Sequence, residues 1–152
     1  MRTTRPGEGR KDEPMKYYLA YGSNLNKRQM KRRCPDAVPV GACTVRGYEL
    51  VFRNVATIEP KPDASVQAAV WQISDKDELS LDRYEGFPRV YRKEDFWVTV
   101  DGKTVSAMAY VMEPGIPKSM PRIDYLMTIM LGYDDFGLDQ HPLIVAASVE
   151  GA

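Results

Sequence analysis

Apolar and polar positions divide this chain into short blocks, and their spacing assigns most of the elements. Lys16-Tyr17-Tyr18-Leu19-Ala20-Tyr21 forms an apolar and aromatic strand that stops at the turn-forming cluster Gly22-Ser23-Asn24. Lys27 to Arg33 consists of good helix formers and is ended by Pro35. From Val38 to Phe52 the residues favour strands, with Gly41 and Gly47 as bends or bulges. Val55 to Ile58 reads as a separate short strand cut off by Pro60 and Pro62, and Val66 to Ile73 as a largely buried one. Ser74 opens a helix with Asp77 three residues on, in the manner of a capping box. That helix runs to about Glu85, where Gly86 suits the left-handed terminal conformation and Pro88 forbids continuation.

Tyr91 to Val100 and Thr104 to Met112 pair as a hairpin around Asp101-Gly102, a dipeptide suited to a tight primed turn. Past Pro114, Gly115 and Pro117 a helix is expected from about Ser119 to Gly132, with Pro121 in its first turn. Its apolar set Ile123, Leu126, Met127, Met130 and Leu131 forms one continuous stripe, read as core filling. In the tail, Leu143 to Ala147 is strand-like. Clustered strands and one strong hairpin predict an α+β architecture around a curled, mainly antiparallel sheet, small and barrel-like, with flanking helices. Residues 1–14 contain no large aliphatic or aromatic side chain after Met1 and are expected to be a disordered N-terminal extension, with the folded domain at 15–152.

Composition narrows the function. The 152 residues carry 21 basic and 21 acidic side chains, a zero balance that argues against a protein living by phosphate neutralisation. The five positive charges of Lys27 to Arg33 therefore read as a solvated helix face, and no nucleic-acid partner is expected. The longest apolar run, Ala107 to Met112, is far too short to span a membrane. Cys34 and Cys43 lack metal-site spacing, only one histidine accompanies them, and the N-terminus has no apolar signal core. A soluble cytoplasmic protein with reduced thiols and no metal is expected.

Two segments suit chemistry. In Tyr21-Gly22-Ser23-Asn24-Leu25 a strand end runs into a turn and a short helix; Gly22 lets backbone N–H groups approach a ligand, and the helix start adds unpaired donors suited to a carboxylate. The same residues suit an ordinary turn with a helix cap, and the segment alone does not separate the two. In Leu81-Asp82-Arg83-Tyr84-Glu85-Gly86-Phe87-Pro88, Glu85 sits on the last helical turn, where the macrodipole and Asp82 at i−3 disfavour its ionised form, with Arg83 offsetting part of this. If partly buried by Tyr84 and Phe87, Glu85 suits a general acid/base near neutral pH; against this, surface glutamates at helix ends are common. No local signature pairs either cysteine with His141, Ser23 is not in a G-x-S-x-G elbow, and there is no P-loop or G-x-G-x-x-G.

The order YYLAYGSNL, NVATI, ISDKDELSLDRYEGFP followed by VYR, and AMAYVM resembles the gamma-glutamylcyclotransferase-like family, from about Tyr17 through Gly137. The resemblance implies a small mixed fold with a curled sheet and a cofactor-independent reaction of acyltransferase or lyase type. In it the free α-amine of a γ-glutamyl amide attacks its own side-chain carbonyl, releasing 5-oxoproline and an amine or amino acid. By the same resemblance Glu85 is the acid/base, and Tyr21, Gly22, Ser23, Asn24 and Leu25 hold the γ-glutamyl group through backbone contacts. Tyr110, in AMAYVM, matches a tyrosine whose hydroxyl touches substrate, with simple packing as the alternative. Tyr91 is matched by its position just after EGFP. A non-catalytic binding domain for a γ-glutamyl or other small acidic metabolite is the alternative function. The leaving amine would be selected by other parts, such as Lys61–Ser65 or the region after Gly132.

Overall fold

The computed structural model describes residues 15–148, so the expectation for residues 1–14 lies outside the described residues. The elements are β1 (Lys16–Ala20), a 3-10 turn (Ser23–Leu25), α1 (Lys27–Arg33), β2 (Val38–Arg53), β3 (Val55–Ile73), α2 (Asp75–Glu85), β4 (Tyr91–Val100), β5 (Lys103–Met112), α3 (Ile123–Asp135) and α4 (His141–Ala146). One five-stranded sheet has the order β2-β3-β1-β5-β4. β1 is its centre, antiparallel to β3 and parallel to β5, while β2 with β3 and β4 with β5 are antiparallel. The α+β class and the mainly antiparallel pairing agree with the sequence pattern.

The sheet is open, neither closed nor strongly curled, which corrects the barrel-like expectation. β2 and β4 are its edges, and no backbone ladder joins them. Side chains bridge the seam instead: the Tyr48 and Phe96 rings meet edge-on at 5.2 Å, and the Tyr48 hydroxyl lies 3.4 Å from Glu94.

The expected break at Pro60 and Pro62 is also absent, since β3 runs through both. Tyr48 pairs Pro60 and Arg46 pairs Ser65, so residues 61–64 bulge opposite the single residue Gly47, whose φ is 82°. Pro62 costs no ladder bond inside the bulge, Pro60 stands at its border opposite Tyr48, and glycine adopts that φ without a Cβ clash. The predicted hairpin is present, with Asp101 and Gly102 both at positive φ and Val100 paired to Lys103. So is the capping box of α2: the Ser74 hydroxyl accepts from the Asp77 N–H at 3.1 Å, and the Asp77 carboxylate accepts from the Ser74 N–H at 3.2 Å.

α3 overturns two expectations. It begins at Ile123 rather than Ser119, and Ile123, Met127 and Leu131 are 70%, 55% and 57% exposed instead of filling the core. The inward face is Tyr125, Ile129, Gly132 and Tyr133, spaced i, i+4, i+7 and i+8, and Leu126 and Met130 of the expected stripe pack half-buried beside it. Gly132 sets this rotation. A Cβ there would lie 2.7 Å from the Asn26 nitrogen and the Leu25 carbonyl carbon, so only a residue without one lets the helix rest on that backbone. The strand-like Leu143 to Ala147 lies in α4 and its C-cap: Leu143 and Ala147, four apart, are buried, while Ile144 and Val145 between them are exposed. That is helical spacing, and Pro142 is compatible with a first turn. Among the described residues no helix is long and apolar enough to cross a membrane.

Candidate functional site

β1 ends at the sheet centre and delivers Tyr21-Gly22-Ser23-Asn24 into a cavity of about 430 Å³. Glu85 and Tyr84 enter it from the C-terminal turn of α2, Tyr91 from the start of β4, Tyr110 from β5 and Tyr125 from α3. Seven of the eight residues singled out in the sequence therefore share one cavity. Leu25 does not line it; the side chain is fully buried in the core and its N–H is spent on the Gly22 carbonyl at 3.0 Å. The Asn26 N–H is spent likewise on Ser23. The 3-10 turn itself supplies no acceptor for the N–H groups of Ser23 and Asn24.

The turn is held from several sides. The Trp71 indole donates to the Asn24 carbonyl at 3.1 Å, and the Asn26 carboxamide donates to the Thr128 carbonyl at 3.1 Å. A Cβ on Gly22 would press Ala56 at 3.3 Å and approach the Tyr125 hydroxyl at 3.6 Å. Ala56 is itself fixed by two tyrosines: its N–H donates to Tyr125 at 3.0 Å, and its carbonyl accepts from Tyr91 at 2.7 Å. Tyr21 donates to the Tyr110 carbonyl.

Glu85 lies at the centre of this arrangement, with Asn24 Nδ2 donating to its Oε2 at 3.3 Å. Removal from water pushes its carboxyl up to about 7, and Arg33 pulls in the opposite direction. This corrects the sequence reasoning in three respects. Asp82 is not what raises Glu85, because its charge is taken up by Lys93 Nζ at 3.0 Å and the Tyr110 hydroxyl at 2.6 Å. Arg33 supplies the offset assigned to Arg83. Phe87 packs against Tyr110 and Lys93 outside the cavity, so the walls around the carboxyl are Tyr18, Tyr21, Tyr91 and Tyr125. Burial raises the hydroxyls of Tyr18, Tyr21, Tyr91, Tyr110 and Tyr125 far above their ordinary range, so all stay neutral beside the carboxyl.

Sequence reasoning missed Tyr125, Tyr18 and Arg33. The last was read as part of a solvated basic face, yet its guanidinium stacks 3.4 Å from the centre of the Tyr84 ring and donates to Asn24. A signal existed: Met30 is the apolar residue of α1, and Arg33 follows it by three, on the same face. Lys61–Ser65, considered as a specificity loop, is the β3 bulge of residues 61–64 with the paired Ser65 after it, and lines none of this cavity. His141 opens α4 and lines a different cavity of about 460 Å³, and both cysteines are free and buried. Among the described residues no three His, Cys, Asp or Glu side chains gather as metal ligands.

A mixed sheet whose central strand ends in a backbone turn facing one desolvated carboxyl forms a cavity of a size and chemistry suited to a small molecule. The family model described as gamma-glutamyl cyclotransferase, AIG2-like, matches residues 18–127, and the chain belongs to that family. It is 30% identical to the gamma-glutamylcyclotransferase of Mus musculus over 137 residues, covering 81% of this chain and 72% of the mouse protein. It is 27% identical to the gamma-glutamylcyclotransferase of Homo sapiens over 146 residues, covering 84% and 74% of the two chains. A solved structure of a gamma-glutamyl cyclotransferase superposes with a TM-score of 0.79 over 88% of each chain, at 24% identity, which is a likeness of fold.

Proposed function

We propose that this protein is a cyclotransferase that cleaves a γ-glutamyl amide by attack of the substrate's own α-amine, releasing 5-oxoproline and an amine or amino acid. The observation that carries this reading is a single carboxyl, pushed to about 7, sharing one cavity with the 22–24 backbone turn. Family membership agrees with it.

The chemistry needs little else. The α-amine of a free γ-glutamyl group is largely an ammonium at neutral pH and must lose a proton before it attacks. A carboxyl titrating near 7 is about half ionised there, so it accepts that proton readily and returns it readily. Attack forms the nitrogen–carbon bond of a five-membered lactam and places negative charge on the former carbonyl oxygen. The N–H groups of Ser23 and Asn24 are suited to that oxyanion. Collapse breaks the bond to the leaving nitrogen. Two protons leave the α-nitrogen in all, and two reach the leaving nitrogen if it departs as an ammonium, with Glu85 as the carrier. The remaining catalytic effect is positioning, since amine and carbonyl belong to one molecule held in one geometry.

Tyr21, Gly22, Ser23, Asn24, Tyr91 and Tyr110 form the binding surface in this reading, and the neutral tyrosines leave the carboxyl as the proton acceptor. Buried free thiols at Cys34 and Cys43 support a reducing, cytoplasmic setting. The test is 5-oxoproline release from a panel of γ-glutamyl amino acids and amines by the wild type and Glu85→Gln, with circular dichroism on both. Turnover by the wild type and its loss in the variant are expected. Equal rates would remove Glu85 from its role, and tight binding without turnover across the panel would favour the non-catalytic alternative.

A further inference from the structure

We propose that Arg33 is a positioning residue of this site, locking the Asn24 carboxamide so that its N–H faces Glu85. The kinetic part of this inference rests on the function proposed above; the structural part rests on geometry. Arg33 Nη1 donates to Asn24 Oδ1, Nη2 donates to Gln29 Oε1 at 2.9 Å, and the guanidinium carbon lies over the Tyr84 ring, 3.4 Å from its centre. Arginine has donors and no acceptor. Asn24 must therefore give its oxygen to Arg33, which leaves its NH₂ group for the Tyr18 hydroxyl at 2.9 Å and the Glu85 carboxylate at 3.3 Å. The opposite amide orientation would set an oxygen against the carboxylate and a donor against the guanidinium.

The same cation ties the two sequence-distant halves of the site together. Tyr84, which it stacks upon, meets the Ser23 hydroxyl at 3.0 Å, so α1, the turn and the end of α2 form one closed circuit. The groups facing Glu85 are Arg33 from α1, Tyr18 and Tyr21 from β1 and its end, Tyr91 from β4, Tyr110 from β5, Tyr125 from α3, and Tyr84 and Arg83 on its own helix. Burial keeps Tyr18, Tyr21, Tyr91, Tyr110 and Tyr125 neutral, and Arg33 is the cation whose charge acts on the carboxyl. Lysine would keep the charge but could not hold Asn24, Gln29 and the ring at once.

The experiment compares wild type, Arg33→Lys and Arg33→Met, each checked by urea unfolding. Carbon-13 NMR follows the titration of the Glu85 carboxyl, and 5-oxoproline release from γ-glutamyl-alanine is measured against pH. Arg33→Met is expected to raise the Glu85 midpoint by about one pH unit and to move the acid limb of kcat/KM with it. Arg33→Lys is expected to leave the midpoint nearly in place while kcat falls about tenfold at little-changed KM, through misplacement alone. A folded Arg33→Met with an unmoved midpoint, or Arg33→Lys with wild-type kcat, overturns the proposal. If Arg33→Met does not fold, Arg33→Lys decides through kcat. A wild type that releases no 5-oxoproline refutes the functional reading, and the Glu85 titration then decides the role of Arg33.

Discussion

Glu85→Gln should make the protein more stable, and only above the pH at which free glutamates ionise. The carboxyl is moved from an ordinary value of 4.5 to about 7 by loss of water. Each pH unit of displacement corresponds to about 1.36 kcal/mol, so ionised Glu85 costs on the order of 3 kcal/mol in the folded state. The sign follows from proton counting. Between pH 4.5 and 7 the folded protein holds a proton that the unfolded chain has released, so wild-type stability falls as pH rises through that window and levels off above it. Glutamine never ionises and can still accept from Asn24 Nδ2. The variant is thus expected to match the wild type near pH 4.5 and to exceed it by about 2–3 kcal/mol at pH 8, a shift of about 1–2 M in the urea midpoint. Urea titrations of both proteins from pH 4.5 to 8 measure this directly. A stability difference that does not grow with pH, or a variant less stable than wild type at pH 8, would refute burial as the origin of the shift.

Three further outcomes are expected. Gly132→Ala should destabilise by about 1–3 kcal/mol despite alanine's better helix propensity, because its Cβ meets the backbone of Leu25 and Asn26 at 2.7 Å; the urea midpoint reads the stability, and turnover should fall with displacement of the turn. Ser74→Ala removes half of the α2 capping box and should cost about 1 kcal/mol by urea unfolding, with the Glu85 titration little changed, since the cap lies at the far end of the helix. Burial pushes the thiols of Cys34 and Cys43 up to about 12 and about 11, so both should resist a disulfide reagent at pH 8 in the native state and react promptly in urea.

The elements most legible in the sequence were those with local chemical signals. Ser74 with Asp77, Gly86 after Glu85, and Asp101-Gly102 each specify their conformation within a few residues, and each is found as expected. What went astray depended on a partner far along the chain. The apolar stripe of α3 was assigned to the core from its own periodicity, but the helix is rotated by contact between Gly132 and a turn more than a hundred residues earlier. The continuity of β3 past Pro62 depended on a bulge opposite Gly47 in the neighbouring strand. In the site, Tyr21, Gly22, Ser23, Asn24 and Glu85 were visible as motifs, whereas Arg33 and Tyr125 carry no motif of their own and are recruited by packing.

The environment of Glu85 gains its character from what is kept away from it as much as from what touches it. Asp82, one turn earlier on the same helix, would add a second negative charge beside the cavity if it stood alone. Lys93 on β4 contacts both Asp82 oxygens and also binds Glu78 at 2.8 Å, while Glu78 holds Lys16 at 2.6 Å. This chain of alternating charge meets the cavity wall through the Tyr110 hydroxyl. Burial therefore sets the titration of Glu85, with Arg33 as its counterweight, and Asp82 stays committed to lysine and tyrosine. The role proposed for Glu85 is simpler to sustain with that separation. Were the repulsion between two carboxylates in charge, the two would titrate as a coupled pair, and the protonation state of Glu85 would change with every shift of its neighbour. Committing Asp82 to lysine and tyrosine leaves one acid whose affinity for a proton follows from how much water surrounds it, a quantity that a ligand entering the cavity would itself alter.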